Sequence, residues 1–569
     1  MVHLPPRELA ALRLLIAHAG QVVSPAQLKN ALWGDVHVTA DSVPKCLSSL
    51  RARLEPDTFI QTVYKRGYRF TAGIRRDGEA PSGRLARLAI MPFATGHSVP
   101  EYLGSAMAEE TTASLSRARC FAVAVLARDS VFTLAQRGLT AQQIGRELKA
   151  DLVLTGTLQA FSSHYRLRAE MIRVEDGTQI WVEDLLAPRN RTGVLDQELM
   201  RRLAYRFGTG IPGDAAISPE RDASIDISAA VGNIEDESAP RQAEAYEIFL
   251  SGRHEWQTLH RHRMQDGLQH LLRAIELDPT LISAKVDLAH LCIAQALFGF
   301  MSPGASAELV HRTADSMPDL MDQAVALLPA LGWVNFHFDR NLPAALLAFS
   351  SSAHLPHDLL TTRARYMLTV SRHRFAEAIE MLRAAIRIDP FSPWLQNRLA
   401  WTLHLDGQAS ASLEQIHNTI AQFPDRESTC LYGSVILAFN GEAVQGTELA
   451  LSLAQRSPHF DLAGAAHAYA LACAGRADEA RDVLERLQWL GRERYVVRGL
   501  MPGAYLALGD HEAALAELRA MNEARCPWFF QMLADPRLKP LHGNPDFERL
   551  RAILPAMEAE AGQYLAIED

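Results

Sequence analysis

The C-terminal half of the chain repeats with a period of 34 residues, and this period restricts its possible folds more than any other feature. Four glycines keep this spacing, at Gly407, Gly441, Gly475 and Gly509. Four prolines keep it as well, at Pro356, Pro390, Pro424 and Pro458. Such a period is typical of stacked helix pairs, with the glycine in the turn between two helices and the proline after the second. The sequence therefore predicts an all-α solenoid over residues 241–569.

Further details of the solenoid are typical of one repeat family. A small residue follows the turn by five positions, at Ala378, Gly446, Ala480 and Ala514. The segments AIELDP and AIRIDP resemble tetratricopeptide-repeat endings, and DPRLKPLHGNPDFERLRA resembles a capping segment. An insertion near residues 297–318 interrupts the repeat register. The resemblance implies a groove for a protein or peptide partner, and we also consider a homo-oligomer.

Charge is distributed unevenly along the chain. The total is −9, but residues 1–76 hold eleven Lys/Arg and five Asp/Glu, a net +6 that leaves −15 for the remainder. A basic N-terminal block indicates that this end meets a polyanion. No apolar run is long enough to span a bilayer, no export signal is apparent, and the six cysteines form no CxxC motif. We therefore expect a cytoplasmic protein without membrane contact.

The basic block contains three short helical patterns followed by a hairpin. Ser24-Pro25 is typical of a helix start, and a later helix beginning near Ser42 carries an apolar stripe at Val43, Leu47, Leu50 and Leu54. Two strand-like pieces, at 59–62 and 68–71, then flank the basic turn YKRG. This order predicts a winged helix-turn-helix, an α+β fold.

The segments LPPRELAALRLL, VVSPAQLKNALWGD, DSVPKCLSSLRARL and FIQTVYKRGYRF resemble the DNA-binding domain of OmpR/PhoB/ToxR-type regulators. The resemblance implies binding to double-stranded promoter DNA, with the recognition helix in the major groove and the wing on the backbone or minor groove. It assigns DNA contacts to the exposed recognition-helix positions and the wing tip, namely Ser42, Lys45, Cys46, Ser48, Ser49, Arg51, Arg53, Lys65 and Arg66.

One departure from that family keeps a second interpretation open. Its members have a four-stranded sheet before the first helix, and only about five residues precede that helix here. Either the true start lies upstream, or the N-terminal β-platform is missing. In the second case the chain can be a cytosolic repeat-protein scaffold or signalling adaptor whose truncated winged helix no longer binds DNA.

The middle segment alternates strands with helices and ends in an antiparallel hairpin at Glu175-Asp176-Gly177, a pattern that predicts an α/β domain. Its segments LAIMPFA, IGRELKADLVLTGTLQ and MIRVEDGTQIWVEDL resemble the TolB-like N-terminal domain. The predicted organisation is a winged helix at 1–73, a linker at 74–87, the TolB-like domain at 88–208, an acidic linker at 209–240, and the capped solenoid.

Patterns that carry enzyme chemistry are weak or missing. GTGIPG matches GxGxxG, but Pro212 and the acidic stretch after it favour a linker over a phosphate loop. His254, His260 and His262 lack the spacing of a metal site, and we expect solvated or core histidines. The acidic pair Glu109-Glu110 is expected on the solvated surface. The sequence therefore predicts no enzyme, no cofactor and no metal.

The order of the three parts, together with the PPRE, WGD and CLSSLR details, resembles HilA-type bacterial transcription regulators. This resemblance implies a sequence-specific regulator that activates virulence or type III secretion genes. It further implies that RNA polymerase or a regulatory protein is a partner.

Overall fold

The computed structural model of the chain describes residues 8, 11–12, 14–15, 22–33, 42–51, 60–63, 67–70, 85–117, 123–189, 192–208, 238–256, 261–317, 325–352 and 359–565. Its contacts separate two units. One contains Met1–Leu85, Cys120–Ala122 and Arg202–Ser224, and the other contains Ala86–Arg119, Val123–Arg201 and Ile225–Asp569. Apart from residues 202–208, the described mixed α/β part and the helical repeats thus share the second unit.

The first unit contains a small helix and sheet arrangement that begins with a capped helix. Helix α1 (Pro25–Trp33) starts at Ser24, whose hydroxyl accepts from the Gln27 amide at 3.3 Å while the Gln27 side chain accepts from the Ser24 amide at 2.9 Å. This reciprocal box satisfies two backbone donors at the helix start. The remaining elements are β1 (Val22–Val23), α2 (Ser42–Arg51), β2 (Ile60–Val63) and β3 (Gly67–Phe70).

The three strands form an antiparallel sheet in the order β1-β3-β2. Gly67 makes the close approach of β3 to β1 possible, because its φ is +138° and a Cβ would lie 2.1 Å from the Val23 carbonyl oxygen. One apolar core joins helix and sheet, and the stripe predicted for α2 faces it. Its buried members are Ala11, Leu15, Val23, Leu28, Val43, Leu47, Leu50, Ile60 and Phe70.

The α/β part is built on a six-stranded mixed sheet. Its strands are β4 (Ala86–Ile90), β5 (Ala94–Thr95), β6 (Val123–Val125), β7 (Leu152–Ala160), β8 (His164–Arg173) and β9 (Gln179–Pro188). Strand β4 pairs in parallel with β6 and β7, whereas β7, β8 and β9 form an antiparallel meander. Its helices are α3 (Glu101–Arg117), α4 (Arg128–Gln136), α5 (Ala141–Glu147) and α6 (Gly193–Gly208).

Some of these boundaries differ from the sequence-based expectation. Strand β4 begins at Ala86, inside the stretch predicted as a linker, because the Arg87 amide donates to the Asp151 carboxylate at 2.7 Å and the Arg87 carbonyl accepts from the Asp151 amide. Helices α4 and α6 were not predicted. The first solenoid helix begins at Ser238, inside the predicted acidic linker, most of which lies outside the described residues.

The C-terminal part is a series of helix pairs. The helices are α7 (Ser238–Trp256), α8 (Arg261–Leu277), α9 (Ile282–Phe298), α10 (Pro303–Asp315), α11 (Leu328–His337), α12 (Leu342–Ser351), α13 (Leu359–Ser371), α14 (Phe375–Ile388), α15 (Pro393–Leu405), α16 (Ala409–Gln422), α17 (Glu427–Phe439), α18 (Ala443–Arg456), α19 (Asp461–Cys473), α20 (Ala477–Glu493), α21 (Met501–Ala507), α22 (His511–Glu523), α23 (Phe529–Met532), α24 (Pro545–Arg551) and α25 (Ile553–Leu565). The predicted insertion near 297–318 contains α10.

The repeat glycines lie in the turns where the period places them. All four have positive φ, between +75° and +92°, and a Cβ would meet no atom within 4 Å at any of them, so backbone conformation rather than space selects glycine. Gly543 continues the series, and His373 occupies the same turn position one repeat earlier, at φ +57°. The small residues five positions after the turns are buried in the helix contacts.

The α/β part contacts the solenoid through a buried ionic cluster. Arg253 on α7 pairs with Glu110 on α3 and donates to Asp287 on α9 at 2.6 Å. The prediction for the acidic pair is therefore wrong: Glu109 and Glu110 are 6% and 5% exposed, because Arg128 and Arg253 respectively neutralise them. A cluster of this kind is stable only when every charge is paired.

A hydroxyl-carboxylate cluster makes a second contact between these parts. Ser130, at the start of α4, donates its backbone amide (2.9 Å) and its hydroxyl to Asp389, and its hydroxyl accepts from the Phe391 amide at 2.8 Å. Asp129 accepts from the Ser392 hydroxyl at 2.9 Å. The loop after α14 thus caps the start of α4, and the two parts pack through polar contacts that are shielded from water.

Candidate nucleic-acid interface

Helix α2 has one apolar face and one polar face. Val43, Leu47 and Leu50 are buried, whereas Lys45 and Ser48 are exposed. Lys45 and Ser48 offer a cation and a short hydroxyl, which suit phosphate contacts and base edges respectively, and Pro44 is the third exposed residue. A ten-residue helix with this pattern has the size and chemistry to lie in a major groove.

Arg51, predicted among the DNA contacts, lies half-buried at the end of α2 and binds its own fold. Its Nε and Nη2 donate to the Ile60 carbonyl at 2.9 and 2.7 Å, and Nη2 also donates to the Thr62 hydroxyl at 2.8 Å. Its guanidinium carbon lies 5.9 Å from the centre of the Tyr68 ring. Arg51 therefore ties the helix to the first strand of the wing hairpin, a role that a solvated charge would not have.

The other predicted positions divide into two groups. Ser42, Cys46 and Ser49 are half-buried at the edges of the polar face, and Cys46 packs against the apolar core. Arg53, Lys65 and Arg66 lie outside the described residues. The assignment of these positions to DNA contacts stays a prediction.

Sequence reasoning overlooked a cation in the middle of the hairpin. Arg69 on β3 is half-buried between its neighbours Val22 and Gln61, and its Nε has no hydrogen-bond partner among the described residues. No period-2 pattern marked it, because burial along GYRF does not alternate: Gly67 and Phe70 are buried while Tyr68 and Arg69 between them are half-buried.

Other candidate sites have little support in the described residues. No three His, Cys, Asp or Glu side chains cluster there in a way that could hold a metal ion, and His260 lies outside them. Of the glycines in GTGIPG, only Gly208 is described, at the end of α6. Across the described ranges, no helix combines the length and apolar character needed to cross a bilayer.

Comparison with known proteins supports the N-terminal assignment. Residues 1–70 match the family described as "Transcriptional regulatory protein, C terminal". The chain is 22% identical over 399 residues to the transcriptional regulator HilA of Salmonella typhimurium, and equally to that of Salmonella typhi. Each alignment covers 68% of this chain and 67% of the relative. The predicted resemblance to an OmpR/PhoB-type winged helix and to HilA-type regulators is thus confirmed.

Two solved structures are similar to parts of the chain. The LpoB C-terminal domain from Salmonella enterica is 16% identical, covers 18% of this chain and 84% of its own, and has a TM-score of 0.15. The P58(IPK) TPR domain is 12% identical, covers 59% of this chain and 96% of its own, and has a TM-score of 0.17.

Proposed function

We propose that this chain is a sequence-specific DNA-binding transcription regulator. One observation carries the proposal: within the matched N-terminal region, α2 presents Lys45 and Ser48 to solvent from a helix whose opposite face is fixed in the core. The net +6 of residues 1–76 adds the long-range attraction that a duplex requires. The likeness to HilA, described as a transcriptional regulator, supports the same function.

The finer parts of the proposal concern organisation and targets. We assign 1–73 to DNA binding, 88–208 to a TolB-like domain and 241–569 to a tetratricopeptide-type solenoid, with linkers at 74–87 and 209–240. DNA contacts come from Ser42, Lys45, Cys46, Ser48, Ser49, Arg53, Lys65 and Arg66, whereas Arg51, which donates to the Ile60 carbonyl, positions the hairpin. The regulator acts in the cytoplasm as an activator, with virulence or type III secretion genes as targets, and the solenoid contacts RNA polymerase or a regulatory protein.

The direct test is DNA binding by the full-length chain across a salt series. Genomic fragments retained by the purified protein supply the duplex, and fluorescence anisotropy then measures its affinity. Each neutralised phosphate contributes about −0.9 to the slope of log affinity against log salt, so K45A is expected to make the slope about one unit shallower. K539A removes an exposed lysine of the solenoid and is the matched control, with an unchanged slope.

The same salt-series measurement distinguishes the proposed DNA-binding function from the scaffold interpretation. If the winged helix no longer binds DNA, the chain retains no genomic fragment above background. In that case K45A also leaves the slope of log affinity against log salt unchanged. Either result contradicts the proposed function. Reporter expression from a retained fragment, with and without the chain, then distinguishes activation from repression.

A further inference from the structure

A large cavity lies where the α/β part meets the solenoid within the second unit. Its volume is about 1840 Å³, more than a drug-sized molecule needs. Residues of α3 and α4 line one side, and residues of α7 to α9, α13 to α15 and α17 line the others. Among the described lining residues, arginines outnumber carboxylates by nine to six.

The carboxylates of this lining are already engaged. Glu109 pairs with Arg128, Asp287 with Arg253, and Glu377 with Arg374. Asp389 accepts from Ser130, Asp129 accepts from Ser392, and Glu427 has a partner of its own. Arg372 pairs with Glu558 outside the lining at 3.0 Å, so the cavity keeps an excess of two arginines over its carboxylates.

Arg398 on α15 is a buried cation of this lining. It is only 6% exposed and lines the cavity, yet none of the described carboxylates lies within 4.0 Å of it and its Nη1 has no hydrogen-bond partner. Aromatic rings hold the guanidinium in place, since its carbon lies 5.0 Å from the centre of Tyr432 and 5.7 Å from that of Trp394. A buried cation with an unused donor favours an anionic acceptor.

A second guanidinium shares the same aromatic ring. The Arg363 carbon lies 5.2 Å from the centre of Trp394, and the nearest carboxylate oxygen, on Asp129, is 4.0 Å from its Nη2. Burial lowers the pKa of Arg363, and the nearby charges of Arg128 and Arg398 lower it further against the opposing effect of Asp129. Trp394, which is half-exposed, thus lies between two guanidiniums at the cavity wall.

We propose that this cavity binds a small organic anion with an apolar ring system. The anionic group pairs with Arg398 and Arg363, whose planar donors suit carboxylate, sulfonate or phosphate oxygens, and the rings pack against Trp394. All three of these contacts lie on solenoid helices, Arg363 on α13 and Trp394 and Arg398 on α15. This site is separate from the proposed DNA interface, and its test requires no DNA.

The test uses a pair of fluorescent probes on the full-length chain. The anionic probe is 1-anilinonaphthalene-8-sulfonate, and the neutral one is N-phenyl-1-naphthylamine, which has the same rings without the sulfonate. We expect saturable binding of the anionic probe, and R398M and R363M are each expected to weaken it about tenfold or more through loss of a charge-assisted contact. The affinity of the neutral probe should change less than twofold.

R383M is the matched control, since Arg383 is exposed on α14 and pairs with Glu380 outside the cavity lining. Circular dichroism verifies that each variant is folded. If R398M does not fold, R363M alone still tests whether the cavity binds the anionic probe. Wild-type affinity of both variants for the anionic probe overturns the proposal, because the probe then binds elsewhere. An equal loss of the neutral probe also overturns it, because the cavity would then select apolar surface rather than charge.

Discussion

Replacing Arg51 is expected to loosen the wing hairpin, although the resemblance assigned this position to DNA contacts. R51M keeps the apolar stem of the side chain and removes its donors. The variant loses three hydrogen bonds, two to the Ile60 carbonyl and one to the Thr62 hydroxyl. Two of them share one acceptor, so we expect a cost of about 1–3 kcal/mol in local stability, the range for a few charge-assisted bonds.

Hydrogen exchange followed by mass spectrometry measures this cost within the full chain. Peptides that cover β2 and β3 report the opening of the hairpin, and a loss of 1–3 kcal/mol lowers their protection about five- to 150-fold. K45M is the matched control on the same helix. Lys45 is exposed, so its replacement should change stability by no more than about 0.5 kcal/mol while weakening DNA binding.

The opposite pattern would refute this reasoning. If R51M leaves the protection of β2 and β3 at the wild-type level and weakens DNA binding as strongly as K45M, then Arg51 is a DNA contact and its bonds to the hairpin contribute no stability. A loss of protection in both variants would instead indicate that the exposed face of α2 also supports the fold.

Two further predictions concern the second unit. Burial and the neighbouring Glu110 raise the pKa of Asp196 to about 7, so its protonated form favours the folded state, and this contribution is lost as pH rises from about 4 through 7. The Tm of D196N relative to wild type should therefore rise between pH 5 and 7.5 in thermal scans, and a constant difference would contradict the assignment. G446A places a Cβ 2.7 Å from the Ser434 carbonyl and should lower the unfolding free energy by about 1–3 kcal/mol in urea titrations, whereas an unchanged transition would show that α17 and α18 can separate without cost.

Local chemistry explains which parts of the fold the sequence predicts. The turn glycines were found because left-handed backbone selects glycine at a fixed interval, whereas His373 was missed because it adopts the same conformation without being glycine. Helix α4 was not predicted, for a different reason. Its start is capped by Asp389, which lies 259 residues away, and no local pattern indicates such a partner.

In the candidate sites as well, local sequence patterns were predictive and contacts with distant partners were not. The apolar stripe of α2 predicted which side chains are buried, and by elimination that Lys45 and Ser48 are exposed. It did not predict that Arg51 turns back onto the Ile60 carbonyl, because backbone acceptors carry no signal in the residue types. The burial of Glu110 was likewise hidden, since its neutralising partner Arg253 lies 143 residues further along the chain.

The long sequence separation of these contacts governs the order of events on the ribosome. At about 5–20 residues per second, Asp389 is synthesised roughly 13 to 50 s after Ser130, and Arg253 roughly 7 to 29 s after Glu110. During translation the nascent α/β part therefore carries a carboxylate and an uncapped helix start that its later-made partners will cover. This surface is therefore open to solvent until the later helices have been synthesised.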